Sequence, residues 1–231
     1  MKIALLDPQR PDQPFPPLHT ALTEPNGLLA VGGCLSVTRL LNAYRHGVFP
    51  WYNLNEPILW WSPDPRLVLF PERLQVSRSL KKTLRNGKFT VTFDTAFDKV
   101  IAGCADSRQG REGTWITNDI MRAYHELHHS GFAHSAETWC DGELVGGLYG
   151  VAIGRVFFGE SMFHTMTDAS KAAFAILVQH LKIWNFELVD CQVYTRHLAS
   201  LGSELVDRET FRRLLDLHCL MPATASAWQS P

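Results

Sequence analysis

Two short stretches hold the residue types best suited to chemistry. In "LVDCQV", residues 188–193, a carboxylate and an amide stand two positions apart in an otherwise apolar run. If that run is a strand, Leu188, Asp190 and Gln192 share one face and Val189, Cys191 and Val193 the other, which sets the Asp190 and Gln192 Cα atoms roughly 6 to 7 Å apart. A carboxylate in so apolar a strand is costly unless hydrogen-bonded. The pair is therefore a candidate catalytic group, and Cys191 reads as a buried hydrophobe rather than a nucleophile. In "VFFGESMFHTMTDASK", residues 156–171, Glu160 sits between a glycine and a serine, flanked by aromatic and methionine side chains. Taken alone it is a charge at a strand end.

Three other constellations compete. "HELHH", residues 125–129, satisfies the H-E-x-x-H pattern of zinc peptidases. At 100° per residue, however, Ile120, Tyr124 and Leu127 cluster within about 60°, while His125 and His129 fall near 140° and 180°, away from the apolar side. No third ligand is identifiable, and a polar helix face is the expectation. "GGLYGVAIGR" lies between strand patterns rather than between a strand and a helix N-terminus, so its glycines belong at bulges or under a close backbone approach, not around a phosphate. The glycine pattern of acyl-CoA acetyltransferases is absent as well, which argues against a CoA donor. In "SRSLKKTLR", Arg78, Lys81, Lys82 and Arg85 project within roughly 100° of one another as a basic stripe. Between Arg66 and Phe93 seven basic residues face one acid, so one region can meet a polyanion although the whole chain carries a net charge of −1.

The elements that must position these groups are legible in outline. Ser36 caps a helix from Val37 to His46, and proline- and turn-rich sequence surrounds it. "PILWWSPDPRLVLF" gives two strand-like runs about a Ser-Pro-Asp-Pro turn, and a boundary is placed there, dividing the chain into residues 1–64 and 65–231. Helices follow at about Ser77 to Arg85, Thr95 to Cys104 and Asn118 to Ser130, with a strand "KFTVTF" after the first. Residues 133–160 read as a three-strand antiparallel meander turning at Asp141-Gly142 and Ile153-Gly154. A long helix runs from Asp168 to about Trp184, then the strand "ELVDCQVY", then a helix near Glu209 to Leu217. Helices with a mostly antiparallel sheet make an α+β or mixed α/β domain. The 231 residues, 45% hydrophobic, suffice for a sizeable core. Apolar stretches stay short of the ~18 to 20 residues of a membrane span, and no signal core is visible at the N-terminus. Five scattered cysteines suggest reduced thiols, so a soluble, cytoplasmic protein is expected.

Taken in order, "EPNGLLAVGG", "AYRHGVFPWY", "PILWWSPDPR", "REGTWIT", "ELVGGLYGVA", "FFGESMF", "ASK" and "LVDCQV" resemble the bacterial leucyl/phenylalanyl-tRNA–protein transferases over nearly the whole chain. The resemblance implies a small irregular N-terminal domain followed by a GNAT-like acyltransferase domain. It implies transfer of leucine or phenylalanine, and less well methionine, from charged tRNA to proteins beginning with arginine or lysine, marking them for N-degron degradation. No cofactor, metal, membrane or DNA is implied.

By position, Trp51 and Trp115 match the tryptophans at the tRNA's terminal adenosine, whereas Trp60 and Trp61 are expected to pack in the interior. Leu148, Phe157, Met162, Phe174, Leu177 and Val189 would line the pocket for the donor side chain. Asp190, Gln192 and Glu160 match the polar catalytic group, and the basic stripe would contact tRNA. The resemblance carries two mechanisms: Asp190 holds the Gln192 amide so that its oxygen draws the proton from the attacking amine, or these side chains orient substrates while a ribose hydroxyl shuttles the proton. A neutral amide oxygen is a very weak base, which favours orientation. A zinc peptidase and a non-catalytic RNA-binding module are the competing readings.

Overall fold

The computed structural model describes residues 3–109 and 115–228. Eleven strands and seven α-helices are assigned among them. Four short strands form a small sheet, of which the sequence indicates only the last as a strand-like run: β1 (Ala4–Leu6), β2 (Leu28–Gly32), β3 (Phe49–Pro50) and β4 (Leu59–Trp61), in spatial order β1-β2-β4-β3. Each is too short to show alternation, so sheet formation here depends on partners distant in sequence. Helix α1 (Val37–Arg45) packs against this sheet, and its cap is the expected one, the Ser36 hydroxyl accepting from the Arg39 N–H at 3.3 Å. Its buried face, Leu40, Leu41, Ala43 and Tyr44, points inward.

Between Trp61 and Arg66 the chain leaves this sheet and enters a second one. Its strands are β5 (Arg66–Leu69), β6 (Thr90–Phe93), β7 (Ala133–Cys140), β8 (Glu143–Ile153), β9 (Val156–His164), β10 (Leu188–Gln192) and β11 (Glu204–Val206). They lie in the order β11-β5-β10-β9-β8-β7-β6, and only β9 and β10 run parallel. The mostly antiparallel mixed sheet, and within it the β7-β8-β9 meander, follow the sequence pattern. Its second turn falls at residues 154–155, one position later than the pattern indicates. Helices α2 (Arg78–Arg85), α3 (Phe97–Gln109), α4 (Asn118–His129) and α5 (Ala169–Ile183) follow the sequence closely, though α3 continues past Cys104. The short α6 (Arg196–Ala199) carries no periodicity of its own, and α7 (Arg208–His218) is the last helix among the described residues.

Buried residues of both sheets merge into one cluster that includes Leu6, Tyr44 and Trp60 from the first part and Ile101, Tyr124, Phe158 and Phe211 from the second. The first sheet is thus packed onto the second, and helix α1 reaches the neighbourhood of α4. Trp60 is fully buried with its indole N–H donating to the Gly32 carbonyl at 2.8 Å, and Trp61 is half-buried, as expected of packing residues. Gly150 meets the expectation of close backbone approach, since a Cβ there would lie 2.3 Å from the Phe158 carbonyl oxygen. Among the described residues no helix is long and apolar enough to cross a membrane.

Candidate active site

Strands β9 and β10 pair from Val156–Leu188 to Phe158–Asp190 and then diverge. Parallel neighbours that separate leave a gap no side chain of either strand fills, and a cavity of about 310 Å3 opens there. That size is at the low end for small-ligand sites. Of the residues that the resemblance places around a donor pocket, Leu148, Phe157, Met162, Phe174 and Val189 line this cavity. Leu177 does not: it is buried in the same hydrophobic cluster but stands behind the wall, so its place is in the support and not in the lining. Tyr149, Cys191, Val193, Thr195, His197 and Leu198 also line the cavity. The last four lie between the end of β10 and the close of the four-residue α6, a stretch too short for period 2 or period 3.6 to give a signal.

A second, smaller cleft of about 140 Å3 is bounded by Trp51, Trp115, Phe49 and Pro50. Trp51 is 48% exposed, its backbone carbonyl fixed by the Trp61 indole N–H at 2.6 Å. The indole is therefore presented to solvent on an anchored backbone. Trp115 is half-buried opposite it, at the start of the described chain beyond residues 110–114. Most of "REGTWIT" lies outside the described residues.

Glu160, Gln192 and Val193 line both cavities and so stand at their junction. The Glu160 carboxylate accepts three hydrogen bonds: from the Tyr44 hydroxyl at 2.8 Å, the Tyr124 hydroxyl at 2.8 Å and the Gln192 side-chain N–H at 2.9 Å. Tyr44 comes from α1 and Tyr124 from α4, and their hydroxyls also touch each other. Both tyrosines are spaced as ordinary core residues in sequence; nothing local reveals that their hydroxyls meet a carboxylate 116 and 36 positions away. Burial raises the Glu160 pKa to about 7, with the Asp190 charge adding to it and the three hydrogen bonds opposing it. Burial, and next the charge of Glu160, holds both phenols well above their ordinary range.

The Asp190/Gln192 pair differs from the simple alternating strand. Gln192 has φ 61°, in the left-handed region, and the register of β10 on β5 shifts between Asp190 and Gln192. Asp190 is fully buried and its carboxylate is held by Arg66, Nε to Oδ1 at 2.8 Å and Nη2 to Oδ2 at 2.6 Å. Asp190 Oδ1 also accepts the backbone N–H of Gln192 at 2.9 Å. The side-chain amide of Gln192 is tied to Glu160 instead of Asp190. The kink breaks the alternation, so the two side chains diverge to different partners. Cys191 lines the cavity beside Val189, with which it shares a strand face, and burial pushes its thiol up to about 12, which keeps it protonated and non-nucleophilic.

Arg66 must also be removed from the basic segment counted in the sequence, since it is 1% exposed and paired. Arg78, Lys81, Lys82 and Arg85 do form an exposed stripe on α2, bordering a surface groove of about 300 Å3. Leu80 anchors the helix to the cluster that backs the apolar cavity. On α4, His129 is exposed and His125 pairs with Asp98 at 2.8 Å, at the edge of Phe97. Among the described residues no three His, Cys, Asp or Glu side chains converge as metal ligands.

Comparison with known proteins supplies the family. The model of the leucyl/phenylalanyl-tRNA protein transferase matches residues 68–216, and that of its N-terminal domain residues 33–64. A leucyl/phenylalanyl-tRNA–protein transferase of Methylococcus capsulatus is 57% identical over 98% of this chain and 97% of its own. One of Nitrosospira multiformis is 60% identical over 88% of each. Among solved structures, FemX aligns over 77% of this chain and 70% of its own at 10% identity and a TM-score of 0.51, a likeness of fold alone.

Proposed function

Since the chain belongs to the leucyl/phenylalanyl-tRNA–protein transferases, we propose that it moves leucine or phenylalanine, and less well methionine, from charged tRNA to the α-amine of proteins beginning with arginine or lysine. The product is an amide-linked N-terminal residue that marks the acceptor for N-degron degradation, and the work is done in the cytoplasm, where charged tRNA is found. Residues 1–64 act as a small N-terminal domain that supplies Trp51 and Tyr44, and residues 65–231 as the catalytic domain. One observation carries the reading. Glu160 and Gln192 stand where an apolar cavity meets a tryptophan-walled cleft, which is where the ester carbon of an aminoacyl adenosine would lie if its side chain filled the first and its base the second.

The residues then take distinct tasks. Leu148, Phe157, Met162, Phe174 and Val189 receive the donor side chain, with Leu177 supporting them. An apolar pocket discriminates only about 1 to 3 kcal/mol per methylene, so leucine, methionine and phenylalanine can share it. Trp51 and Trp115 stack on the terminal adenosine. Glu160, ionised, receives the donor's α-ammonium, which sits two bonds from the ester carbon. The Gln192 amide N–H is occupied by Glu160, so its carbonyl oxygen is the end that can accept from the attacking amine and aim it. An α-amine of ordinary pKa near 8 is on the order of one-tenth neutral at pH 7, so alignment and oxyanion stabilisation matter more than proton removal.

Incubation with labelled Leu-tRNA or Phe-tRNA and peptides differing only in N-terminal Arg, Lys or Ala tests this directly. Label is expected on the Arg and Lys peptides and little on the Ala peptide; label on none refutes it. Because base stacking contributes about 1 to 3 kcal/mol, Trp51→Ala should raise the KM for charged tRNA at least several-fold with little change in melting temperature, its indole being exposed. The stripe on α2 should behave as a phosphate contact. Lys81→Ala/Lys82→Ala is expected to lower the slope of log affinity for tRNA against log salt by about 1 to 2, and an unchanged slope would remove the stripe from the tRNA path.

A further inference from the structure

Arg66 touches both sheets at the site, Phe49 in the first and Asp190 in the second. It lies on β5 with 1% exposure, and its guanidinium faces are covered by the rings of Phe49 from β3 and Phe211 from α7, each 4.7 Å away. The fork of Nε and Nη2 holds both oxygens of Asp190 at 2.8 and 2.6 Å, a bidentate geometry that fixes a carboxylate in rotation as well as position. The Asp190 oxygen so fixed accepts the Gln192 backbone N–H at 2.9 Å. Gln192 needs that hold, because a side-chain-bearing residue at φ 61° occupies a sparsely populated region. The left-handed turn in its backbone accompanies the swing of its amide onto Glu160 at 2.9 Å.

We propose that Arg66 is a positioning residue for aminoacyl transfer: through Asp190 it locks the left-handed turn at Gln192 and so aims the Gln192 amide at the junction of the two cavities. Asp190 is then a structural acceptor whose charge serves Arg66, and no proton passes through it. The inference rests on the reading that Gln192 addresses the reacting groups. It differs in outcome from a proton-moving Asp190, because positioning needs only a balanced partner and an acceptor oxygen at position 190, whereas proton transfer needs the carboxylate itself. Buried ion pairs replaced together by neutral partners are often tolerated, while removal of one partner is not.

Single-turnover transfer from Leu-tRNA to an N-terminal Arg peptide separates the two. Arg66→Gln and Asp190→Asn are each expected to lower the transfer rate on the order of a hundredfold at saturating substrate, with the KM for tRNA within about threefold of the parent. The double variant Arg66→Gln/Asp190→Asn should recover at least about tenfold over Asp190→Asn, since the amide oxygen introduced at position 190 can still accept from the Gln192 N–H and no buried charge is left alone. A double variant that melts like the parent yet is no more active than Asp190→Asn overturns the proposal. Arg66→Lys keeps the charge and loses the fork; it should lower the rate about tenfold with KM unchanged, and parental rate in Arg66→Lys overturns the proposal whether or not the other variants fold. A parent protein that labels no peptide would instead refute the transferase reading itself.

Discussion

Glu160→Gln is expected to slow transfer on the order of a hundredfold and, at pH 8, to raise the melting temperature by several degrees. The two effects have one cause. The fold holds the Glu160 carboxyl in a seat where burial lifts its pKa from 4.5 to about 7. A group whose pKa is raised on folding favours the protonated folded state, so its contribution to stability is full below its unfolded pKa and is lost as pH rises through 7. At roughly 1.4 kcal/mol per pH unit, keeping it ionised at pH 8 costs on the order of 3 kcal/mol, which glutamine does not incur. In a chain this long that corresponds to roughly 2 to 4 °C per kcal/mol. The gap between variant and parent should close near pH 5; a gap independent of pH would show that the carboxyl carries no such penalty.

The rate falls because truncating one partner of a desolvated charge pair costs about 2 to 5 kcal/mol. Transfer by the parent should rise with pH through 7, as Glu160 ionises, and then further as more acceptor amine becomes neutral. A donor tRNA whose leucyl amino group is replaced by hydroxyl assigns the amine. If Glu160 holds the donor's ammonium, that donor reacts slowly with the parent and no more slowly with Glu160→Gln. A further loss in the variant would place the acceptor's amine at Glu160 instead.

Gly150→Ala should be the most damaging single-methyl change in the sheet. The added Cβ would lie 2.3 Å from the Phe158 carbonyl oxygen and 2.5 Å from the Phe157 ring. The first contact is with backbone and cannot be relieved by a rotamer change, so β8 and β9 must move apart next to their register shift at Tyr149/Gly150. A cost of about 3 kcal/mol, at the upper end for overpacking, is expected. Displacing Phe157 also narrows the donor cavity, so transfer of phenylalanine should fall more than transfer of leucine. Gly159→Ala is the control: its Cβ would sit 3.4 Å from the Asp190 carbonyl oxygen, an ordinary contact. Equal melting temperatures for the two variants, with an unchanged Phe-to-Leu ratio, would contradict this account.

Much of the fold is local and therefore legible. Ser36 before an apolar 3.6 period gives α1, strand-like runs about the Asp141-Gly142 turn give the β7–β8 hairpin, and apolar spacing gives α5. Asp190 and Gln192 stand out in the sequence because a carboxylate and an amide within an apolar run are visible without coordinates, whereas Glu160 and the apolar residues around the cavity are singled out by the family resemblance. Leu177, which the resemblance assigns to the lining, is buried in the same cluster without bordering the cavity, since a match by position does not separate wall from support.

What only the tertiary structure decides is which groups meet. Arg66 reads as one cation in a basic segment until β5 is found beside β10, antiparallel and 124 residues away, where it closes on Asp190. Tyr44 and Tyr124 read as core until two helices converge on β9 and set their hydroxyls on Glu160. Gln192 reads as a regular strand residue until the backbone turns left-handed under the hold of a side chain two positions earlier. The sequence alone determined the long helices, the β7-β8-β9 meander, the apolar faces and the family, because these rest on local periodicity and on ordered strings of residues. The protonation of Glu160 and the aim of Gln192 depend on burial and on long-range hydrogen bonds, which exist only once the strands and helices have packed.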